Sequence, residues 1–124
     1  MKDKNVRILV VDDSQECREL CQRVLLSEGY VVHSVDSGKK ALEESKAIKF
    51  DLIITDIKMP DLDGISLLRR VKEIDPKICV IVITGYPDEE SKAKAMELGA
   101  SGYLAKPLDV SELVRAVKDC LEHR

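Results

Sequence analysis

Flat rings are scarce in this chain, which has three Tyr, one Phe and no Trp among 124 residues. Tyr30, Phe50, Tyr86 and Tyr103 are too few to build a base-stacking platform or a cage for a large planar ligand. Excess positive charge is also missing. The 20 Lys and Arg stand against 23 Asp and Glu, a net charge of −3, which removes the basic footprint that a phosphate backbone requires. Long apolar runs are absent: after Met1-Lys2-Asp3-Lys4 come only Val6 and the short stretch Ile8 to Val11, too brief for a signal-peptide core or a membrane span. The expectation is a cytoplasmic protein with no direct nucleic-acid or membrane partner. There is no C-x-x-C pair, and His33 and His123 are the only histidines, so zinc is disfavoured and His33 reads simply as a strand residue. The four cysteines are expected as reduced thiols, with Cys17 and Cys21 four apart in a helical pattern and Cys79 opening an apolar run.

The length suits one domain over residues 1–124, able to bury about two-thirds of its unfolded surface. Ile8-Leu9-Val10-Val11, Leu52-Ile53-Ile54-Thr55 and Val80-Ile81-Val82-Ile83-Thr84 are continuous apolar runs of strand length, as expected for strands covered on both faces. Val31 to Val35 and Gly102 to Ala105 are weaker and suit positions nearer the edges. Between them Cys17, Leu20, Cys21, Val24 and Leu25, and later Val110, Leu113, Val114, Val117 and Leu121, repeat at helical spacing as apolar stripes. Ala41 and Leu42 belong to a short second helix, and Ala93, Ala95, Met96 and Leu98 to the fourth. In the third, Leu67, Leu68 and Val71 face inward. Gly29 and Gly99 are placed to end the first and fourth helices, Asp63-Gly64 opens the third, and Asp109-x-x-Glu112 resembles a capping box before the last. Strand and helix alternate five times. The expected fold is a doubly wound α/β domain, a five-stranded parallel sheet in the flavodoxin-like order 2-1-3-4-5 with helices on both faces.

In such a sheet the ligand lies beyond the carboxyl ends of the strands, at the switch point between strands 1 and 3. Strand 1 ends in Asp12-Asp13, strand 3 in Asp56, strand 4 in Thr84 and strand 5 in Lys106-Pro107. Singly, each has a plain structural reading: Asp12 or Asp13 could cap a helix and Asp56 could open a turn. Together they bring three carboxylates, a hydroxyl and an ammonium to one crevice. Three close carboxylates repel one another unless a cation sits among them, and an all-oxygen site open to water suits Mg²⁺. Three Asp, one Mg²⁺ and one Lys leave no net formal charge, so a phosphoryl group can be added. With no P-loop and no G-x-G-x-x-G, that group is not expected on a tightly held nucleotide. A carboxylate can itself take it, and Asp56, alone at the end of the central strand, is the best candidate. Thr84 and Lys106 would then meet the phosphoryl oxygens.

The segments "ILVVDDS", "DLIITDIKMPDLDG", "VIVITGY" and "GYLAKP" strongly resemble the receiver domains of bacterial two-component response regulators. The resemblance spans almost the whole chain. The spacings agree with the family's order, with 43 residues from Asp13 to Asp56, 28 to Thr84 and 22 more to Lys106. It implies a phosphorylation-activated switch in which Asp56 accepts a phosphoryl group from a phosphohistidine on a sensor histidine kinase or histidine phosphotransfer protein. It also implies Mg²⁺ held by Asp12, Asp13, Asp56 and the Lys58 backbone carbonyl, Thr84 as switch hydroxyl, and Lys106 as partner of carboxylate and phosphoryl. Lys106-Pro107 would be cis, Tyr103 would swing inward with Thr84, and Lys58 and Tyr86 would tune rather than define the function. The resemblance implies a signalling domain that catalyses only its own phosphorylation and dephosphorylation, passing its state to a downstream target or output domain. The helix 4, strand 5 and helix 5 face would change, leaving phosphorylation-dependent dimerisation open. Ending at His123-Arg124, the chain reads as a stand-alone or an excised receiver.

Two other classes compete. A Mg²⁺-dependent aspartyl-phosphate hydrolase of the haloacid dehalogenase type would carry its nucleophile in a D-x-D pattern on strand 1, where this chain has Asp12-Asp13-Ser14, and would need room for a cap domain. A non-phosphorylated docking module would be expected to have lost a defining residue, and none is lost.

Overall fold

The computed structural model describes residues 5–124, so the charged start at residues 1–4 lies outside the described residues. Five strands and five helices alternate: β1 (Arg7–Val11), α1 (Gln15–Ser27), β2 (Val31–Val35), α2 (Gly38–Ala47), β3 (Leu52–Asp56), α3 (Gly64–Ile74), β4 (Cys79–Thr84), α4 (Glu89–Glu97), β5 (Gly102–Ala105) and α5 (Val110–Glu122). All strand pairs are parallel and the sheet order is β2-β1-β3-β4-β5, as the sequence predicts. β3 and β4 are buried along their whole lengths and β1 after its first residue, whereas β2 and β5 are only half-buried at the edges.

Alternation along each strand divides the interior. Leu9, Val11, Ile53, Val80 and Val82 pack against α2, α3 and α4 through Leu42, Leu67, Leu68, Val71 and Ala95. Ile8, Val10, Leu52, Ile54, Ile81 and Ile83 face the other way, onto Cys21 and Leu25 of α1 and Leu113, Val117 and Cys120 of α5. Burial of this apolar area is the main stabilising contribution.

Each helix starts with a side-chain oxygen accepting an amide three residues on, from Ser14, Ser37, Asp63, Asp88 and Asp109. Such caps contribute about 1 kcal/mol each. Because every helix follows a strand, these N-termini gather along the sheet edge where the strands end. Gly29 and Gly99 follow α1 and α4 at φ 94° and 100°, the left-handed conformation expected after a helix end.

One side-chain expectation differs. Val110, counted in the stripe of α5, is 47% exposed because it is the first residue of the helix and lies beyond the sheet's cover. In α4 only Ala95 is buried, so that helix has the weakest grip on the core. His33 lies in β2 as expected, edge-on to Phe50 with ring centroids 5.3 Å apart.

Candidate functional site

β1 and β3 are neighbours, and each delivers its terminal carboxylate to the same crevice. Asp12 is fully buried, Asp56 is 7% exposed and Asp13 points to solvent. One oxygen from each of Asp12, Asp13 and Asp56 lies within 4.8 Å of the others, a grouping able to hold a metal ion. Lys106, in the loop after β5, reaches across the crevice, its ammonium 2.9 Å from Asp12 Oδ2 and 3.0 Å from Asp56 Oδ2. The directed hydrogen bond goes to Asp56, and the Asp12 contact is ionic, leaving Asp12 Oδ2 without a hydrogen-bond donor. A buried carboxylate oxygen so placed is suited to a hard cation.

The carboxylates are fixed by the backbone around them. Ser14 N–H donates to Asp12 Oδ1 at 2.9 Å, and the Arg18 guanidinium donates to the Asp12 carbonyl at 2.7 Å. Ile57 N–H donates to Asp56 Oδ1 at 2.7 Å, and the Thr55 hydroxyl donates to the Asp56 carbonyl at 2.9 Å. Ser14, not Asp12 or Asp13, caps α1. That leaves both carboxylates available to the crevice.

Burial raises the Asp12 carboxyl, but the Lys106 ammonium, the Cys17 thiol and the Ser14 amide outweigh it and hold the group below the usual carboxylate range. Asp56 goes the other way: burial and the Asp12 charge lift it above that range, against the pull of Lys106 and the Ile57 amide. Lys106 is raised by its two carboxylate partners in spite of its burial, so it stays charged. The crevice thus holds one strongly ionised acid, one acid with excess repulsion and a permanent cation.

The other expected residues stand around this centre. Thr84 ends β4, is 2% exposed, and its Oγ1 accepts from Tyr86 N–H at 3.0 Å. The Lys106–Pro107 bond is cis. Lys58 and Tyr86 meet at the mouth, with the Lys58 ammonium 4.8 Å from the Tyr86 ring centroid and Tyr86 72% exposed. Tyr103 is half-buried on β5, its hydroxyl 2.6 Å from Ser91 Oγ and accepting from Asp88 N–H at 3.3 Å. A recess of about 700 Å³ lies beside Asp13, lined also by Lys58, Met59, Asp63 and Ser66.

Sequence reasoning did not single out Arg18, Thr55 or Cys17 beside Asp12, nor the close approach of Gly64. Gly64 N–H donates to the Ile57 carbonyl at 2.7 Å, and a Cβ there would collide with the Asp56 carbonyl. The loop from Ile57 to Asp63 is thereby folded tightly over the end of β3. Gly64→Ala is expected to lower stability by about 1–3 kcal/mol, read as a lower urea midpoint with unchanged slope.

A family model described as the response regulator receiver domain matches residues 8–118. Among curated relatives, the sporulation initiation phosphotransferase F of Bacillus subtilis is 39% identical over 94% of each chain. The transcriptional regulatory protein ZraR of Escherichia coli is 37% identical over 99% of this chain, which spans only 28% of ZraR. Among solved structures, a CheY-like receiver domain protein from Methanospirillum hungatei superposes with a TM-score of 0.92 at 30% identity, covering 96% of this chain and 95% of that one. A beryllofluoride-activated NtrC4 receiver domain dimer reaches 0.90 at 33% identity, covering 94% and 97%. The chain belongs to the response regulator receiver domain family, the phosphoacceptor signalling modules of two-component systems. The hydrolase and docking-module alternatives are not favoured.

Proposed function

We propose that Asp56 accepts a phosphoryl group from a phosphohistidine on a sensor histidine kinase or histidine phosphotransfer protein, within a cytoplasmic relay. The observation that carries this reading is Lys106 bridging Asp12 and Asp56 at the switch point of the sheet. The donor's N–P bond breaks as an aspartyl O–P bond forms, and the only reaction catalysed is the chain's own phosphorylation and later dephosphorylation. Asp12, Asp13, Asp56 and the Lys58 backbone carbonyl would hold Mg²⁺, which would supply charge neutralisation. The three close carboxylates, one of them fully buried, fit that ion. Lys106 stays charged and offsets the negative charge brought by the phosphoryl oxygens. The test is intact mass after incubation with acetyl phosphate and Mg²⁺: one phosphoryl group is expected, and an unchanged mass would overturn the reading.

Thr84 carries the response. Its Oγ1 already accepts from Tyr86 N–H, so its own hydroxyl hydrogen can turn to a phosphoryl oxygen. Movement of that hydroxyl vacates space for Tyr103 and shifts the α4, β5 and α5 face between two packings, which a downstream target, an output domain or a second copy would read.

Lys58 and Tyr86 set the lifetime. Held together 4.8 Å apart, they would obstruct the path by which water approaches the phosphorus in line with the aspartyl oxygen. An exposed cation–π contact contributes about 0.5–1 kcal/mol, enough to keep both side chains over the mouth much of the time. Lys58→Ala and Tyr86→Ala should each lose phosphate faster than the parent at equal Mg²⁺, by roughly 2- to 5-fold for the loss of such a contact. Release rates from the isolated phosphoprotein check this.

A further inference from the structure

At the sheet edge opposite Asp56, Cys79 opens β4 and Cys120 lies in the last turn of α5. They are 41 residues apart in sequence, yet the Cys79 thiol donates to the Cys120 carbonyl oxygen at 3.1 Å. Both side chains are almost wholly buried, at 3% and 7% exposure. Both also line an open recess of about 580 Å³ together with Lys72, Ser101, His123 and Arg124. The phosphoacceptor chemistry has no use for either thiol.

Two cations, Lys72 and Arg124, stand near Cys79, with Asp119 also on the recess wall. The Lys72 ammonium is anchored on the carbonyls of Pro76 and of Ile78, the residue before Cys79, and the Arg124 guanidinium is held by Asp51 at 2.7 Å. The Cys120 thiol beside it, with the charges of Arg124 and Lys72, pulls the Cys79 thiol below the usual thiol range despite its burial. The same pairing pushes Cys120 up. Thiolate is the reactive form, and these neighbours favour it at Cys79 over Cys120. Among the described residues, the metal-competent grouping is the Asp12, Asp13 and Asp56 cluster, and Cys79, Cys120 and His123 make no such set. The chemistry left to the pair is redox.

We propose that Cys79 and Cys120 form a reversible dithiol oxidation site, separate from the phosphoacceptor crevice, that takes hydroperoxide-class oxidants and closes to a disulfide between β4 and α5. Cys79 thiolate attacks a peroxide oxygen. An S–O bond forms, the O–O bond breaks and hydroxide leaves, so the sulfur is oxidised to sulfenic acid and the peroxide is reduced. Cys120 gives its proton to the departing hydroxide and attacks the Cys79 sulfur. The S–S bond forms, the S–O bond breaks and a second hydroxide leaves to take up the proton Cys79 had released to solvent, so two thiols and one hydrogen peroxide become one disulfide and two waters. The bond pins the end of α5 to the interior of the sheet.

The folded full chain is treated with limiting hydrogen peroxide, alkylated with iodoacetamide and digested for peptide mass mapping. The expected result is loss of two hydrogens per chain, a Cys79 peptide linked to a Cys120 peptide, and reversal by dithiothreitol. Cys120→Ser should instead trap a sulfenic acid on Cys79 that dimedone captures. In the reduced parent, Cys79 should alkylate at least roughly 10-fold faster than Cys120. A link joining Cys17 to Cys21, links only between chains, or no link at an oxidant level that modifies other thiols would each overturn the proposal. The parent map decides the matter even where a variant folds poorly.

Discussion

Lys106→Ala is expected to slow phosphorylation by acetyl phosphate by roughly 10²- to 10³-fold, the loss typical of removing one preorganised charge-stabilising donor. The ammonium sits 2.9 Å from Asp12 Oδ2 and 3.0 Å from Asp56 Oδ2 on a side chain that is only 24% exposed. Without it, two carboxylates face each other across the crevice with nothing between them. Asp56, already lifted by burial and by the Asp12 charge, would rise further. The variant should also be less stable at neutral pH by on the order of 1–3 kcal/mol, the cost of stranding a buried charged group.

The sign of the pH dependence follows from the shifts. Asp12 is depressed, so its contribution is present above the unfolded carboxyl range and is lost as pH falls through its folded value. Lys106 is raised, so its contribution is present below the unfolded ammonium range and is lost only as pH rises through its higher folded value. Asp56 is raised, so its ionisation opposes folding above the unfolded carboxyl range. The gap between parent and Lys106→Ala should therefore be wide near about pH 7 and narrow only as pH falls through the depressed folded value of Asp12. Lys106→Met, which keeps the apolar stem, should show the same rate loss with a smaller packing effect. Equal rates in parent and both variants would remove Lys106 from the chemistry.

Removing divalent cations should have an effect of similar size. Asp12, Asp13 and Asp56 each place an oxygen within 4.8 Å of the others, and Lys106 compensates only part of their charge. With excess chelator, phosphorylation is expected to fall roughly 10²-fold or more, since the incoming phosphoryl group would add charge to a site already negative. A ligand that binds only the folded form stabilises it by mass action, by about 2.7 kcal/mol at a hundredfold excess over Kd. Mg²⁺ should accordingly raise the urea midpoint of the parent. Asp13→Asn should blunt that increase while leaving the core untouched, because Asp13 is exposed. Equal phosphoryl uptake with and without chelator would contradict the metal assignment.

The central strands were legible because burial on both faces leaves no alternation: β3 and β4 are apolar almost from end to end. The helices of the first and last crossovers were legible because their stripes meet a whole sheet face through Cys21, Leu25, Leu113 and Val117. Val110 broke its stripe because periodicity carries no information on where a helix leaves the sheet. The strand-end residues were legible as a group because parallel topology sends every strand end to one edge. Their partners were not. Arg18 on Asp12 and Lys58 on Tyr86 depend on where two backbones pass, as does Cys79 on Cys120. Gly64 is needed because a loop folds back on Asp56, a tertiary contact with no local sequence signature.

The most direct measurement transfers phosphate from a phosphohistidine-bearing phosphotransfer protein to the parent chain and to Asp56→Asn, followed by peptide mapping of the modified position. The parent should gain one hydroxylamine-sensitive phosphoryl group on the peptide containing Asp56, and Asp56→Asn should gain none. A stable adduct on Asp12, Asp13 or any other residue, or uptake undiminished in Asp56→Asn, would contradict the assignment of Asp56 as the acceptor.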